Sequence, residues 1–259
     1  MPRILSLLAA LAWGIPLCAQ GSPSTTAPAY TVATIVNSAT GTADALAPNT
    51  IATIYGSNLS DGPTMAAGGS NTGAPLPQEL GNVHVYVAGS PVSLYYVSPQ
   101  QINFLIPADL RPGEMDLFVA CDGLAGPLAR ITLHDAGPGI FQSAPGVVSA
   151  THADGSLVTK GHPARRGETV AVYGTGFGPT TPDVAISVAA PVTDLTAFHV
   201  LVAGVAVPGV SVLYAGVVAY TPGLYQATFK LPKSVAPNPE IRIAVGEQTS
   251  PPHLKLPLQ

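Results

Sequence analysis

The sequence predicts an all-β chain built as two tandem immunoglobulin-like β-sandwich domains. Three observations carry that expectation. Gly 27 plus Pro 27 in 259 residues are too many helix breakers for a mostly helical protein. From Tyr30 onward, short runs rich in Val, Ile, Tyr, Phe and Thr alternate with clusters of Gly, Pro, Asn and Asp, the pattern of antiparallel strands joined by turns. The chain also repeats itself, and a repeat sets the architecture before any single element does. Helices are expected to be few and short, because no long stretch shows a 3.6-residue apolar period.

In chain order, residues 1–19 read as a secretory signal. Arg3 is the positive end, Ile4 to Leu17 is the apolar stretch, and Ala19-Gln20 offers the cleavage point. Spanning a bilayer needs about 20 apolar residues, and Pro16 and Gln20 cut this run short. Cys18 follows Leu17, whereas a lipidated Cys follows a small residue, so lipidation is the minor reading. Cleavage removes Cys18 and leaves Cys121 without a disulfide partner. It also removes Arg3, taking the net charge from -4 to -5. Residues 20–29 read as a Ser/Thr/Pro/Ala spacer.

The first sandwich is expected over residues 30–136 and the second over 137–259. The repeat aligns Ile51 to Tyr55 with Val170 to Tyr173, with one residue of slack, and His84 to Gly89 with His199 to Gly204. It aligns Gln101 to Pro107 with Gln226 to Pro232. The offsets of 118, 115 and 125 for the tyrosines, histidines and glutamines drift as loops of different length require. Val83, Val85 and Val87 alternate with Asn82, His84 and Tyr86, giving one buried and one partly wet face. Gly89-Ser90 is expected to turn that strand into a hairpin with Val92, Leu94 and Tyr96. Asp154-Gly155 marks a second turn. Alternation puts Tyr55 and Tyr173 in the core, where truncation would cost about 3 kcal/mol. Between the halves, Gly137-Pro138-Gly139 is short and stiff, so the two units are expected to form a fairly rigid pair.

Only 9% of residues are charged, against about 25% in an average domain. With a net charge of -4, nothing supports nucleic acid, whose binding rests on clustered Lys and Arg. No further apolar run predicts a membrane span after signal cleavage. Catalytic sets are equally absent from the pattern: there is no Gly-x-Ser-x-Gly elbow, and Cys121 has no evident His partner. Gly174 to Gly178 lacks the Lys of a phosphate loop and reads as a bend at a strand end. His152, Asp154 and His162 are the one compact cluster of metal-type ligands, but zinc needs three or four converging groups. Asp183 and Asp194 are too sparse for calcium. Arg165-Arg166 reads as a solvated turn or a greeting for an anionic partner. In Tyr95-Tyr96, regular alternation would send one ring inward and one outward. The outer ring would either stack on sugar or a partner protein, or seal the contact between the units. The amides of Gln100, Gln101 and Asn103 read as ties to loop backbone.

A set of stretches runs in order through the chain: Ile35 to Ala39, Ala47 to Ile51, Ile54 to Leu59, Ala74 to Pro77 and Tyr96 to Asn103. The set continues through Pro138 to Phe141, Pro163 to Val170, Tyr173 to Pro179 and Gly223 to Gln226. At these positions the chain resembles a module abundant in soil acidobacteria, the Solibacter C-terminal domain. The resemblance implies two all-β units similar to the immunoglobulin-like modules of transcription factors and cell-surface receptors. It implies no known enzymatic activity and no established ligand. The module usually closes large exported proteins; here it is expected to make up nearly the whole mature chain.

The expected function is therefore an exported, non-enzymatic binding or structural module for protein interaction or assembly. It would act in the periplasm, at the cell surface or free outside the cell. A carbohydrate-binding module is the alternative, and an extracellular hydrolase is the least supported, since no motif positions an acid pair. No catalytic, cofactor or metal residue is expected, and the partner would be an extracellular protein or polysaccharide.

Overall fold

The computed structural model describes residues 26–67, 75–182 and 188–259. The expected signal, Cys18, residues 20–25 of the spacer, Ala74 and Asp183 lie outside them. The described chain is all-β, 44% strand and 4% helix, with short 3-10 turns at Val32–Thr34, Ala43–Ala45 and Gly209–Ser211. No described helix is long and apolar enough to cross a membrane.

Two hydrophobic cores form, one drawn from Tyr30 to Leu133 and one from Ile140 to Leu258. Each lies between two sheets, which is how a sheet with one apolar face buries it. In the first unit one sheet runs in the order Ile35–Asn37, Ile51–Tyr55, Gln101–Leu105, Leu94–Val97, Met65–Ala66. In the second unit, Gly139–Ile140, Thr169–Thr175, Tyr225–Lys230, Val212–Val217 and Ala190–Pro191 take the same order.

The register repeats as well. Tyr55 pairs with Gln101 and Ala52 with Phe104; Tyr173 pairs with Gln226 and Val170 with Phe229. In the facing sheets His84 lies opposite Ala120 and His199 opposite Ala244. The hairpins also match. Ala88 and Gly89 have φ of 51° and 81°, and Ala203 and Gly204 have 52° and 81°. Positive φ at both central residues is the geometry of a type I′ turn, whose twist suits the flanking strands.

Several expectations are corrected. The first hairpin turns at Ala88-Gly89 rather than Gly89-Ser90, and returns through Ser90–Pro91. Leu94–Val97 then belongs to the opposite sheet, so the chain crosses between Val92 and Leu94, and Leu94 and Tyr96 are not on the hairpin's second arm. Tyr55 is not buried but 47% exposed, and Tyr173 is half-buried. The alternation is present with the other phase: Ala52 and Ile54, then Val170 and Val172, fill the core. Ala29 exchanges two 2.9 Å backbone hydrogen bonds with Ser57, so it joins the sandwich instead of the spacer. The Gln101 and Asn103 amides meet side chains rather than loop backbone. Gln101 Nε2 donates to Asn103 Oδ1 at 2.8 Å, and Thr53 Oγ1 to the same oxygen at 3.1 Å.

Candidate binding faces and the contact between the units

The strand Val83–Val87 buries its three valines and presents His84 and Tyr86 on the other face. Its neighbour Gly113–Cys121 buries Leu117, Val119 and Cys121 and presents Asp116, Phe118 and Ala120. Tyr86 lies directly opposite Phe118, and their rings stack with centroids 4.6 Å apart at 10°. That separation matches the spacing of adjacent strands, so both rings stand upright and hold each other in place. Pro91 pairs with Tyr86 on one side. His84 sits 6.0 Å from the Tyr86 ring, and its Nδ1 donates to the Gln78 carbonyl at 3.1 Å.

Polar groups border this ridge. On Ala129–Leu133, Arg130 lies opposite Asp116 and its Nε donates to Asp116 Oδ1 at 3.1 Å, with Glu114 3.9 Å away. These three side chains are largely exposed. The first sandwich thus has an open sheet face with an aromatic ridge beside hydrogen-bonding groups. Tyr86 was visible in the valine alternation as the wet-face residue. Phe118 was missed, because only the register shows it as Tyr86's partner.

Tyr95 and Tyr96 fall at a bulge. Leu94 pairs with Phe104 and Tyr96 with Asn103, so Tyr95 is the extra residue. Neither ring enters the core, which takes Leu94 and Val97, and the expected inward-outward split gives way to two half-buried rings. The Tyr95 hydroxyl donates to the Pro222 carbonyl of the second unit, and burial pushes its phenol pKa up. Tyr95 therefore seals the contact between the units.

Other groups reinforce that contact. Asn37 Nδ2 donates to the Gly137 carbonyl and the Ile51 amide to Thr175 Oγ1, both at 2.9 Å. Asn49 Nδ2 donates to the Tyr225 hydroxyl at 3.1 Å, and that hydroxyl donates to the Gly178 carbonyl at 2.6 Å. The glycine-rich bend packs here too. Gly176 has φ of 73°, and a Cβ on it would lie 2.2 Å from the Gly137 carbonyl oxygen. Only glycine satisfies both demands.

The cluster expected as weak metal ligands does assemble, but with a different chemistry. His152 Nδ1 and Glu168 Oε1 are 2.5 Å apart, and His152 Nε2 donates to the His162 carbonyl at 3.2 Å. Both ring nitrogens face acceptors, which suits the doubly protonated ring and leaves no lone pair for an ion. The hydrogen bond to the Glu168 carboxylate raises the His152 pKa against the opposing effect of burial. Asp154 Oδ1 accepts from the amide and hydroxyl of Ser156 at 2.9 and 2.6 Å, the Asp-Gly turn expected from sequence.

Cys121 is fully buried. Burial pushes its thiol pKa up, which disfavours the thiolate that a nucleophile or metal ligand requires. Its sulfur lies with carboxylate oxygens of Asp61 and Asp122 in one group within 4.8 Å. Sequence reading missed Asp61 there because sixty residues separate it from Cys121.

No family model and no curated protein matches the chain. Among solved structures it is similar to a surface glycan-binding protein from Prevotella bryantii, with 12% identity and a TM-score of 0.28 over 88% of this chain and 41% of that one. It is similar to a surface glycan-binding protein of a Bacteroides ovatus mixed-linkage glucan utilization locus, with 9% identity and a TM-score of 0.32 over 83% and 43%. A third, from a Bacteroides uniformis xyloglucan utilization locus, has 16% identity and a TM-score of 0.27 over 90% and 49%. The chain spans less than half the length of each. Likeness at these TM-scores carries no argument about function.

Proposed function

We propose that the chain is an exported, non-enzymatic glycan-binding module that engages polysaccharide on the open sheet of its first sandwich. The observation that carries this reading is the Tyr86–Phe118 ridge, bordered by Arg130, Asp116 and Glu114. Sugar rings offer apolar C–H surface to aromatic rings and hydroxyls to charged groups, and this face supplies both at neighbouring positions. The rings are already locked by stacking, so little side-chain freedom is lost on binding. Export follows from the signal at residues 1–19, with mature material starting near Gln20. Kinship with the Solibacter C-terminal domain rests on the stretches quoted above. Retention on immobilised polysaccharides tests the reading: binding to at least one neutral glycan, lost in Tyr86→Ala and Phe118→Ala, is expected.

Protein assembly is the second reading. Leu128, 65% exposed, lies just before the edge strand Ala129–Leu133 that flanks Phe118, and an exposed leucine beside an aromatic pair suits a protein contact. A pull-down from envelope extract that is abolished by Leu128→Asp, with glycan retention untouched, would favour it.

A further inference from the structure

The charge of the chain is unevenly divided. Residues 26–136 hold two Lys or Arg and eight Asp or Glu, net -6; residues 137–259 hold seven and six, net +1. Four of those seven, Lys160, Arg165, Arg166 and Lys255, line two adjoining cavities of about 710 and 470 Å³ that share Pro163 and Gln259. His152 and His162 line the larger one.

Both side-chain acids of the larger cavity accept hydrogen bonds from within the chain. Glu168 gives one oxygen to His152 and the other to the Arg165 amide, 2.7 Å away, and Asp154 is held by Ser156. Among the described residues no carboxylate pairs with either guanidinium. Arg166 Nε rests on the Val235 carbonyl at 2.9 Å, which fixes that side chain and leaves its terminal nitrogens open. In a chain so poor in charge, two adjacent exposed arginines that no carboxylate pairs, standing beside a cavity, form a site an anion can enter.

The repeat locates this site. Ile51 pairs with Leu105 at the end of the first sandwich that receives the second, and the equivalent pair is Thr169 with Lys230. Glu168 and the arginines adjoin that pair, so the basic mouth lies toward the free end of the tandem.

We infer that this mouth is a second binding site, for a carboxylate-bearing saccharide. A planar guanidinium meets a carboxylate through two parallel N–H···O bonds, and the neighbouring Lys160 adds positive charge. The inference rests on the glycan reading for the saccharide; the anion chemistry stands on the arginines alone.

The test is calorimetric titration of the full chain with galacturonate oligomers and with their methyl esters, which lack the charge. Binding of the acid but not the ester is expected, weakening as salt rises, since screening is strong at this exposed site. The double variant Arg165→Gln/Arg166→Gln should lower affinity at least tenfold, and Val205→Ala, at an exposed position away from both faces, should leave it unchanged. The hydrogen bond from the Arg165 backbone N–H to Glu168 survives in the variant, and an unchanged circular dichroism spectrum and thermal midpoint would confirm its fold. No binding of the acid, equal binding of the ester, an unaffected double variant, or equal competition by inorganic phosphate would each overturn the inference. Loss of neutral-glycan binding in Tyr86→Ala reports on the first sandwich alone, so the two sites fail separately.

Discussion

At the inner end of the first sandwich, Ile51, Leu105 and Tyr95 meet the Gly223 loop and Pro222 of the second unit. At the equivalent end of the second sandwich stand Thr169, Lys230 and the bulge residue Leu213, 61% exposed. The backbone at the two ends is the same, down to the bulge that gives Tyr95 and Leu213 their places. Only the side chains differ, and they differ as one docked and one free end require. The open faces diverge similarly: Tyr86 opposite Phe118 becomes Leu201 opposite Arg242, and Arg242 is tied to the Ser250 carbonyl at 2.8 Å. Register fixes the sandwich, whereas these few outward positions set the chemistry of each open face and which end docks.

The largest expected effect tests the shared register. Phe104→Ala and Phe229→Ala remove equivalent, fully buried rings, and each should cost about 3–5 kcal/mol in denaturant unfolding. A near-neutral result at either would break the alignment of the two units.

Next comes the docked end. Tyr95→Phe strands the Pro222 carbonyl in a half-buried contact, at a cost of about 1–3 kcal/mol. Leu213→Ala, at the free end, should stay within about 0.5 kcal/mol. The units should also melt in one transition; two transitions at independent midpoints would show that the contact holds nothing together.

A smaller effect comes from His152, which has no counterpart in the first unit's chemistry. Its folded pKa lies above the usual value near 6.5. Its stabilisation is therefore whole below that pH and is lost as pH rises through the folded pKa. Glu168→Gln should flatten this dependence, measured as the thermal midpoint from mildly acid to mildly alkaline pH. The smallest effect belongs to Tyr55→Ala, expected within about 0.5 kcal/mol because the ring is largely in water.

Much of the fold was legible because strands advertise themselves through period-two alternation and glycine-bearing turns, as in Val83–Val87 and at Asp154-Gly155. The phase of that alternation was less legible. Alternation was expected to bury Tyr55, yet Ala52 and Ile54 fill the inner face and turn Tyr55 outward. The bulge at Tyr95 leaves no mark in composition, so an inward and an outward ring were expected where both are half-buried. The proposed face was half legible: Tyr86 was read only as a wet-face residue while Tyr95-Tyr96 was the candidate for binding, and Phe118 became Tyr86's partner only through pairing between strands about thirty residues apart. Likewise the engaged state of Glu168, which leaves Arg165 and Arg166 unmatched, is a property of geometry.

The central claim is that the first sandwich's open sheet, and not the equivalent sheet of the second, binds neutral glycan. Affinity electrophoresis through a panel of soluble neutral polysaccharides tests it directly, comparing wild type with Tyr86→Ala/Phe118→Ala and with Leu201→Ala/Arg242→Ala. The account predicts that at least one polysaccharide retards the wild type and the second-unit variant equally, while the first-unit variant migrates freely. Retardation that survives in Tyr86→Ala/Phe118→Ala, or a wild type that no polysaccharide retards, would contradict it.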